Sequence, residues 1–426
     1  MGFYPIEGVK ILPEEIDEAL RIENLYKVLN FYLLPMLNDD EREFVLGLEQ
    51  YLASEVWPLV RKEENVYDKL FPLLGKRGYV QRLNPWREFL PAGMEYEVLL
   101  GLVTSVCDPE LDLARLASGI LAGNPMHLRG SDEVLGARDE IYAGTKVGCI
   151  CITERNRGSD AVNMLTRVTM NDDGSATYEG EKIFTTNGPR ADYFVAYGVT
   201  EASNPRGSMV QTCISREIAG EALETNRLGI NSVPRVWIGQ TLFKGLRMPA
   251  EWVLGGPGKG YEHLFEGLVP ERISIVGSSL GICWLGWILG AIYTNMREQF
   301  GRKLFAFQDV AFQQARWLTE LLSATQLGLF AAHHHNRATS PENAGNVDLQ
   351  KFNASLASAA KMKAAKLSHD IAYENQQVMG GISVTDNTMM DRVLEISKIE
   401  EVIGGSRGIQ TLLVSRTIPS VLKGIL

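Results

Sequence analysis

A glutamate and an arginine, Glu271 and Arg272, stand at the mouth of an uncharged run that extends from Ile273 to Asn295. A carboxylate at such an entrance has the makings of a general base. The apolar run favours its neutral acid and the neighbouring guanidinium favours the anion, and the sequence does not say which dominates. The bland alternative is a surface acid–base pair at the start of a helix, where acids suit the helix dipole. Other candidate chemistry is weaker. Cys107, Cys149, Cys151, Cys213 and Cys283 are an odd number without a CxxC pair, so neither a disulfide framework nor a zinc site is indicated. His333, His334 and His335 are adjacent and would point in different directions on a helix, which reads as a solvated helix end and not a metal site. The turn GGPGKG (Gly255 to Gly260) has neither GxGxxG spacing nor a GKS/GKT ending and reads as a loop.

The element that carries Glu271 is long enough to cross a bilayer, and Gly277, Gly281, Gly286 and Gly290 form two small-xxx-small pairs. Close packing also serves soluble bundles, and no positively biased loops flank similarly apolar helices elsewhere. A core helix is therefore expected, not a membrane span. The chain around it has 426 residues and 45% apolar content, enough for two or three structural units. Its net charge of −10 argues against general nucleic-acid binding. The cysteine usage fits a reducing cytoplasm, and the first residues show no basic segment followed by an apolar core.

Texture changes twice along the chain. Heptad-like apolar spacing in DEREFVLGLEQYLASEVWPLV and EYEVLLGLVTSVC predicts helices up to about Gly144. Short alternating runs follow between Val147 and Leu254, where Asn171-Asp172-Asp173-Gly174 predicts a hairpin turn. Helical patterns then return, interrupted around ATSPENAGNVD (Ala338 to Asp348). The expected division is an extension over 1–35, a helical domain over 36–146, a β domain over 147–256 and a second helical domain over 257–426.

Four segments then carry a resemblance. CITERNRGSD (Cys151 to Asp160) resembles the TEPxAGSD segment of the acyl-CoA dehydrogenase family, and KIFTTNGPRADYFV (Lys182 to Val195) its KxWITNGxxAD segment. REQFGRKLFAFQ (Arg297 to Gln308) is similar to RxxFGxxLxxxQ, and QQVMGGISV (Gln376 to Val384) to QxxGGxG. The matches keep the family's order from about Leu37 to Thr417. The resemblance implies an α+β fold with an N-terminal helical domain, a central β-barrel or sheet domain and a C-terminal four-helix bundle. It also implies a homotetramer that binds FAD. Ile150, Ile152, Thr153 and Ser159 would then lie along the flavin, with Phe184 in place of the usual Trp over the ring and Thr186 near N5. Arg297, Phe300, Gln377, Gly380 and Gly381 would hold a neighbouring subunit's cofactor, with Ser406 also beside the flavin. Ser159, Arg272 and Ile403 would contact the substrate. If one continuous helix carried both Glu271 and Arg297, their separation of roughly 39 Å, at ~1.5 Å per residue, would let its two ends serve different subunits' sites.

The family's chemistry removes an α-proton from an acyl thioester while the β-hydrogen leaves as hydride. Most members take their base from a loop reading IYEGT, whereas VIGGS (Val402 to Ser406) matches it here and Gly404 stands where the Glu would be. In a subgroup that includes isovaleryl-CoA dehydrogenase the base sits on the long helix just before an arginine, the position of Glu271. Glu401 is the reserve candidate. Backbone N–H groups at Gly404 and Gly405 would hold the thioester oxygen, and the missing side chain leaves room for a short branched or cyclic acyl group. Glu95 and Glu97 fall near the helix that lines the acyl pocket in relatives; both are expected to be solvated, with reading a polar substrate or serving as a second acid as the alternative. Arg155 and Arg157 replace the Pro and Ala of TEPxAGSD and either touch CoA phosphates or decorate a loop. The expected partners are an acyl-CoA and an electron-transfer flavoprotein. A carrier-protein thioester dehydrogenase, an oxygen-using flavoenzyme and a non-catalytic flavin-binding relative stand as alternatives.

Overall fold

The computed structural model describes residues 11–60, 62, 65–80, 93–343, 345–385 and 387–423. These fall into two compact units, one within Met1–Glu64, Ala92–Asp112 and Arg272–Leu426, the other within Asn65–Pro91 and Leu113–Glu271. The first is helical. Helices α1 (Glu14–Ala19), α2 (Ile22–Leu33) and α3 (Asp39–Tyr51) precede α4 (Met94–Cys107). The long α5 (Gly260–Met296) enters the unit at Arg272, and α6 (Gln308–Thr339), α7 (Val347–Met379), α8 (Met390–Val402) and α9 (Arg407–Leu422) follow. Asn38 starts α3 with a reciprocal box: its side chain accepts from Glu41 N at 2.9 Å, and the Glu41 carboxylate accepts from Asn38 N at 2.9 Å.

The apolar run of α5 is a core element, with 89% of its most hydrophobic window buried inside the fold. Its glycines explain how. A Cβ at Gly277 would fall 2.5 Å from the Val98 carbonyl oxygen on α4, and one at Gly281 would collide with Leu102 of the same helix. A Cβ at Gly290 would meet Asn375 on α7. The small residues thus let the α4 backbone and the Asn375 side chain of α7 approach α5, and Trp284 and Trp287 tie it to α6. Trp284 Nε1 donates to Thr325 Oγ1 at 3.2 Å and Trp287 Nε1 to the Gln314 carbonyl at 3.1 Å.

The second unit is built on a seven-stranded mixed sheet. Its strands are β1 (Gly148–Cys151), β2 (Arg167–Met170), β3 (Ala176–Thr186), β4 (Tyr193–Val199), β5 (Met209–Ser215), β6 (Leu223–Arg227) and β7 (Ile238–Met248). They run in the order β1-β4-β2-β3-β7-β6, with β5 paired to β4. The Asn171–Gly174 stretch does turn β2 into β3, with Gly174 at φ 79° and its N–H donating to Asn171 O. Between Lys182 and Thr185, β3 carries one more residue than its partner β7, a bulge that turns Phe184 outward. All five cysteines are free and buried.

Two expectations about burial are corrected. Glu97 is fully buried, because every residue of α4 except Glu95 is enclosed by its neighbours in the helical unit. The histidine triplet is not a solvated end: His334 is buried, edge-on to Phe352 at 4.8 Å, and His333 Nε2 lies 3.2 Å from the Glu41 carboxylate. Glu95 also has partners, accepting a hydrogen bond from Asn336 and standing 3.9 Å from His333.

Candidate active site

In the sheet unit, Glu271 is half-buried and lines a small cavity of about 20 Å³ together with Ile150, Ile152, Tyr197, Leu264 and Leu268. The cavity thus brings together the segment for which a place along the flavin is expected and the first part of α5. The Tyr197 hydroxyl is pushed above its ordinary range by burial first, a shift that Arg129 opposes and the charge of Glu271 reinforces. It stays protonated and accepts a hydrogen bond from Gln211 Nε2 at 2.5 Å. Arg272, the next residue along α5, is 6% exposed.

The strand's far end is fixed by a buried ion pair. Lys182 Nζ donates to Glu154 Oε1 at 2.9 Å and to the Ile152 carbonyl at 3.0 Å, and neither side chain is more than 4% exposed. Burial works against ionising Glu154, but the charge of Lys182 and the N–H groups of Leu165 and Thr166 outweigh it and hold the carboxyl below its ordinary range. Thr153 and Ile152 are left half-exposed beside this anchor, and Ser159 is exposed on the loop that follows. In that loop Arg155 pairs with Glu181 at 3.1 Å and Arg157 Nε donates to the Asn163 carbonyl at 2.9 Å, so both are held by their own surroundings.

Phe184 is 62% exposed with φ 58°, a conformation that non-glycine residues adopt at a cost. Thr186 is half-buried next to Asn187, which has φ 67° and is fully buried. The Asn187 amide donates to Ala114 O at 2.9 Å and Ser118 Oγ at 3.1 Å and accepts from Tyr67 Oη at 3.0 Å. Strain in this turn is therefore offset by a satisfied network around Asn187.

In the helical unit, the loop Ile403–Ser406 leaves α8 with Gly404 at φ 61° and Gly405 at φ 95°. Its carbonyls point inward. Gln410 Nε2 donates to Gly404 O and to Gly405 O, both at 2.9 Å, and Lys361 Nζ donates to Gly405 O and Glu401 O, both at 3.1 Å. Among the described residues, the N–H groups of Gly404, Gly405 and Ser406 have no protein acceptor. Glu401, the reserve base, is buried and bound to Lys398 and to Arg407 at 3.1 Å. Those two cations override the effect of burial and keep its carboxyl below the ordinary range, which suits an ion pair and not a proton acceptor.

At the far end of α5, Arg297 follows the last helical turn, its N–H donating to Tyr293 O at 2.8 Å. Its guanidinium has no ion-pair partner among the described residues, and it shares a cavity of about 370 Å³ with Gln299 and Gly381. Phe300 caps the adjoining hairpin at φ 53° and is 93% exposed. Gln377 and Gly380, which ends α7 at φ 69°, are exposed. An exposed aromatic on left-handed backbone, Phe300, and the half-buried guanidinium of Arg297, without an ion-pair partner among the described residues, fit the flat base and the pyrophosphate of a ligand such as FAD.

Sequence reasoning missed Lys182, Glu154 and Tyr197 as parts of these sites, and it missed the buried acid Glu400 of α8, which accepts from Ser278 and Ser279. Lys182 had a signal: it shares strand parity with the buried Ala176 and Tyr178. Glu400 had none, since its partners Ser278 and Ser279 lie more than a hundred residues earlier.

Comparison with known proteins identifies the family. The family model described as acyl-CoA dehydrogenase, middle domain, matches residues 149–237, and that described as acyl-CoA dehydrogenase, C-terminal domain, matches residues 258–418. The chain belongs to the acyl-CoA dehydrogenase family. Among its relatives, a short-chain-specific acyl-CoA dehydrogenase of Megasphaera elsdenii is 27% identical over 64% of this chain and 68% of its own. A mitochondrial 2-methylacyl-CoA dehydrogenase of Solanum tuberosum is 24% identical over 90% and 91%. A solved structure, the FAD complex of PigA, superposes with a TM-score of 0.81 at 16% identity, covering 90% of this chain and 98% of that one. This likeness shows the fold: helical N-terminal part, middle sheet, helical C-terminal part.

Proposed function

We propose that this chain is an FAD-dependent dehydrogenase of a short branched or cyclic acyl-CoA thioester, with Glu271 as the base that takes the α-proton. The observation that carries the reading is the shared cavity of Glu271, Ile150 and Ile152, which sets a carboxylate against the strand expected to run along the flavin. The loop that supplies the base in most relatives has Gly404 instead, and its nearest carboxylate, Glu401, is tied up in ion pairs. Bound FAD supplies the hydride acceptor. The chain's own groups would bind and orient it: Phe184 and Thr186 would serve the flavin ring, Thr153 and Ser159 would donate to it, and Ser406 would contribute a further contact. Arg297, Phe300, Gln377, Gly380 and Gly381 hold the cofactor of a neighbouring subunit in a homotetramer. The N–H groups of Gly404 and Gly405, without a backbone acceptor among the described residues, would receive the thioester oxygen as negative charge develops there, with Ile403 and Arg272 against the substrate. The branched-acyl assignment draws support from the missing side chain at Gly404 and from the name of the Solanum relative. An electron-transfer flavoprotein is the proposed acceptor, in a reducing cytoplasm.

Anaerobic titration of the purified protein with a panel of acyl-CoA thioesters tests this. Flavin bleaching should be fastest with short branched or cyclic substrates. A protein that bleaches only with carrier-bound thioesters, or that stays oxidised with every thioester, contradicts the assignment.

A further inference from the structure

The cavity at Arg297 has a third wall that the family pattern does not supply. Ile11, Leu12 and Pro13, from the N-terminal extension, line it together with Arg297, Gln299 and Gly381. The extension is held there by its own helices. On α2, Ile22, Leu25, Leu29 and Leu33 are all fully buried in the helical unit, and Tyr26 Oη donates to the Val103 carbonyl at 3.2 Å. Tyr32 stacks on Trp284 of α5 at 5.9 Å, and Ile11 N donates to Asn387 Oδ1 at 3.4 Å. An amphipathic helix thus anchors the segment and delivers three apolar residues to the cavity.

The lining is chemically divided. Its ionic side chain among the described residues is Arg297, while Ile11, Leu12, Pro13, Leu304 and Ile382 are apolar. At about 370 Å³ it lies within the ~300–1,000 Å³ typical of small-molecule sites. A cation at one part and an aliphatic wall at another match the two chemistries of an adenosine diphosphate group, an anionic pyrophosphate and a flat apolar base.

We infer that the N-terminal extension is part of the cofactor site: Ile11, Leu12 and Pro13 close the cradle over the adenosine end of a neighbouring subunit's FAD, opposite Arg297. This rests on the proposed cofactor role of Arg297. Ile11 is 54% exposed, so charged substitutions there spare the core.

The test uses the chain freed of flavin and titrated with FAD and, separately, with riboflavin, which lacks both the phosphates and the adenosine. Ile11→Glu should weaken FAD binding about tenfold, because it adds a negative charge to the cavity that Arg297 lines, and leave riboflavin binding unchanged. Ile11→Lys should keep or strengthen FAD binding, and Arg297→Ala should weaken it. If Arg297→Ala weakens FAD binding and Ile11→Glu does not, the extension has no part in the site while the cradle stands. If neither variant changes it, the cofactor role of Arg297 fails as well. Equal losses for FAD and riboflavin, or equal losses from Glu and Lys at position 11, would assign the effect to general disruption and overturn the inference.

Discussion

Replacing Glu400 by glutamine is expected to stabilise the protein by an amount that grows with pH. Glu400 sits on α8 with 1% of its surface exposed and accepts from Ser278 Oγ at 2.7 Å and Ser279 Oγ at 3.0 Å. Burial pushes its carboxyl up to about 7; the two serines and Lys361 oppose this, and Asp112 adds to it. The geometry agrees, because Ser278 Oγ also lies 3.1 Å from the Ile275 carbonyl. One hydroxyl proton cannot serve both acceptors, so a protonated Glu400 can itself donate to Ser278. The unfolded carboxyl loses its proton near 4.5 and the folded one near 7, so the unfolded state binds fewer protons across that window. Stability therefore falls as pH rises from 4.5 to 7 and levels off above. The full effect is about 3.4 kcal/mol, of which about 2.5 kcal/mol develops between pH 5 and pH 8. Glutamine keeps the shape and hydrogen-bonding capacity without titrating. Urea unfolding followed by tryptophan fluorescence at a series of pH values gives the difference between variant and parent. Glu49, also raised to about 7, is common to both proteins and cancels. A difference that stays flat from pH 5 to pH 8 would refute the reasoning.

Lys182→Met should destabilise the sheet unit by roughly 3–5 kcal/mol by stranding Glu154 in the interior, and adding Glu154→Gln should recover much of the loss in the same urea measurement. Gly277→Ala should cost about 1–3 kcal/mol, since its new methyl group meets the Val98 backbone and must push α4 away; thermal unfolding reads this. Gly136 is exposed on the helix Asp132–Tyr142 with nothing within 4 Å of a new Cβ, so Gly136→Ala should raise stability by about 1 kcal/mol.

The fold was legible in the sequence because periodicity changes where the chain passes from helix to sheet and back, and because Asn171–Gly174 states its turn locally. The role of α5 was legible for the same reason: spaced glycines on an uncharged run imply packed neighbours whether or not a membrane is involved. What the sequence hid was the fate of individual charges. Glu97 and Glu400 look like ordinary helix acids, and their burial depends on segments far along the chain. Lys182 lies within a recognised motif, yet its partner Glu154 belongs to a different one, and only pairing in space joins them. His334 misled because neighbouring histidines suggest solvent, whereas Phe352 on α7 covers the middle one.

The most direct test of the central claim is the rate of flavin reduction by a saturating branched acyl-CoA in Glu271→Gln, followed anaerobically by stopped flow. Loss of a general base predicts a fall of about 10²–10⁴-fold with thioester binding largely retained. A rate equal to that of the parent would place the base elsewhere and contradict the account.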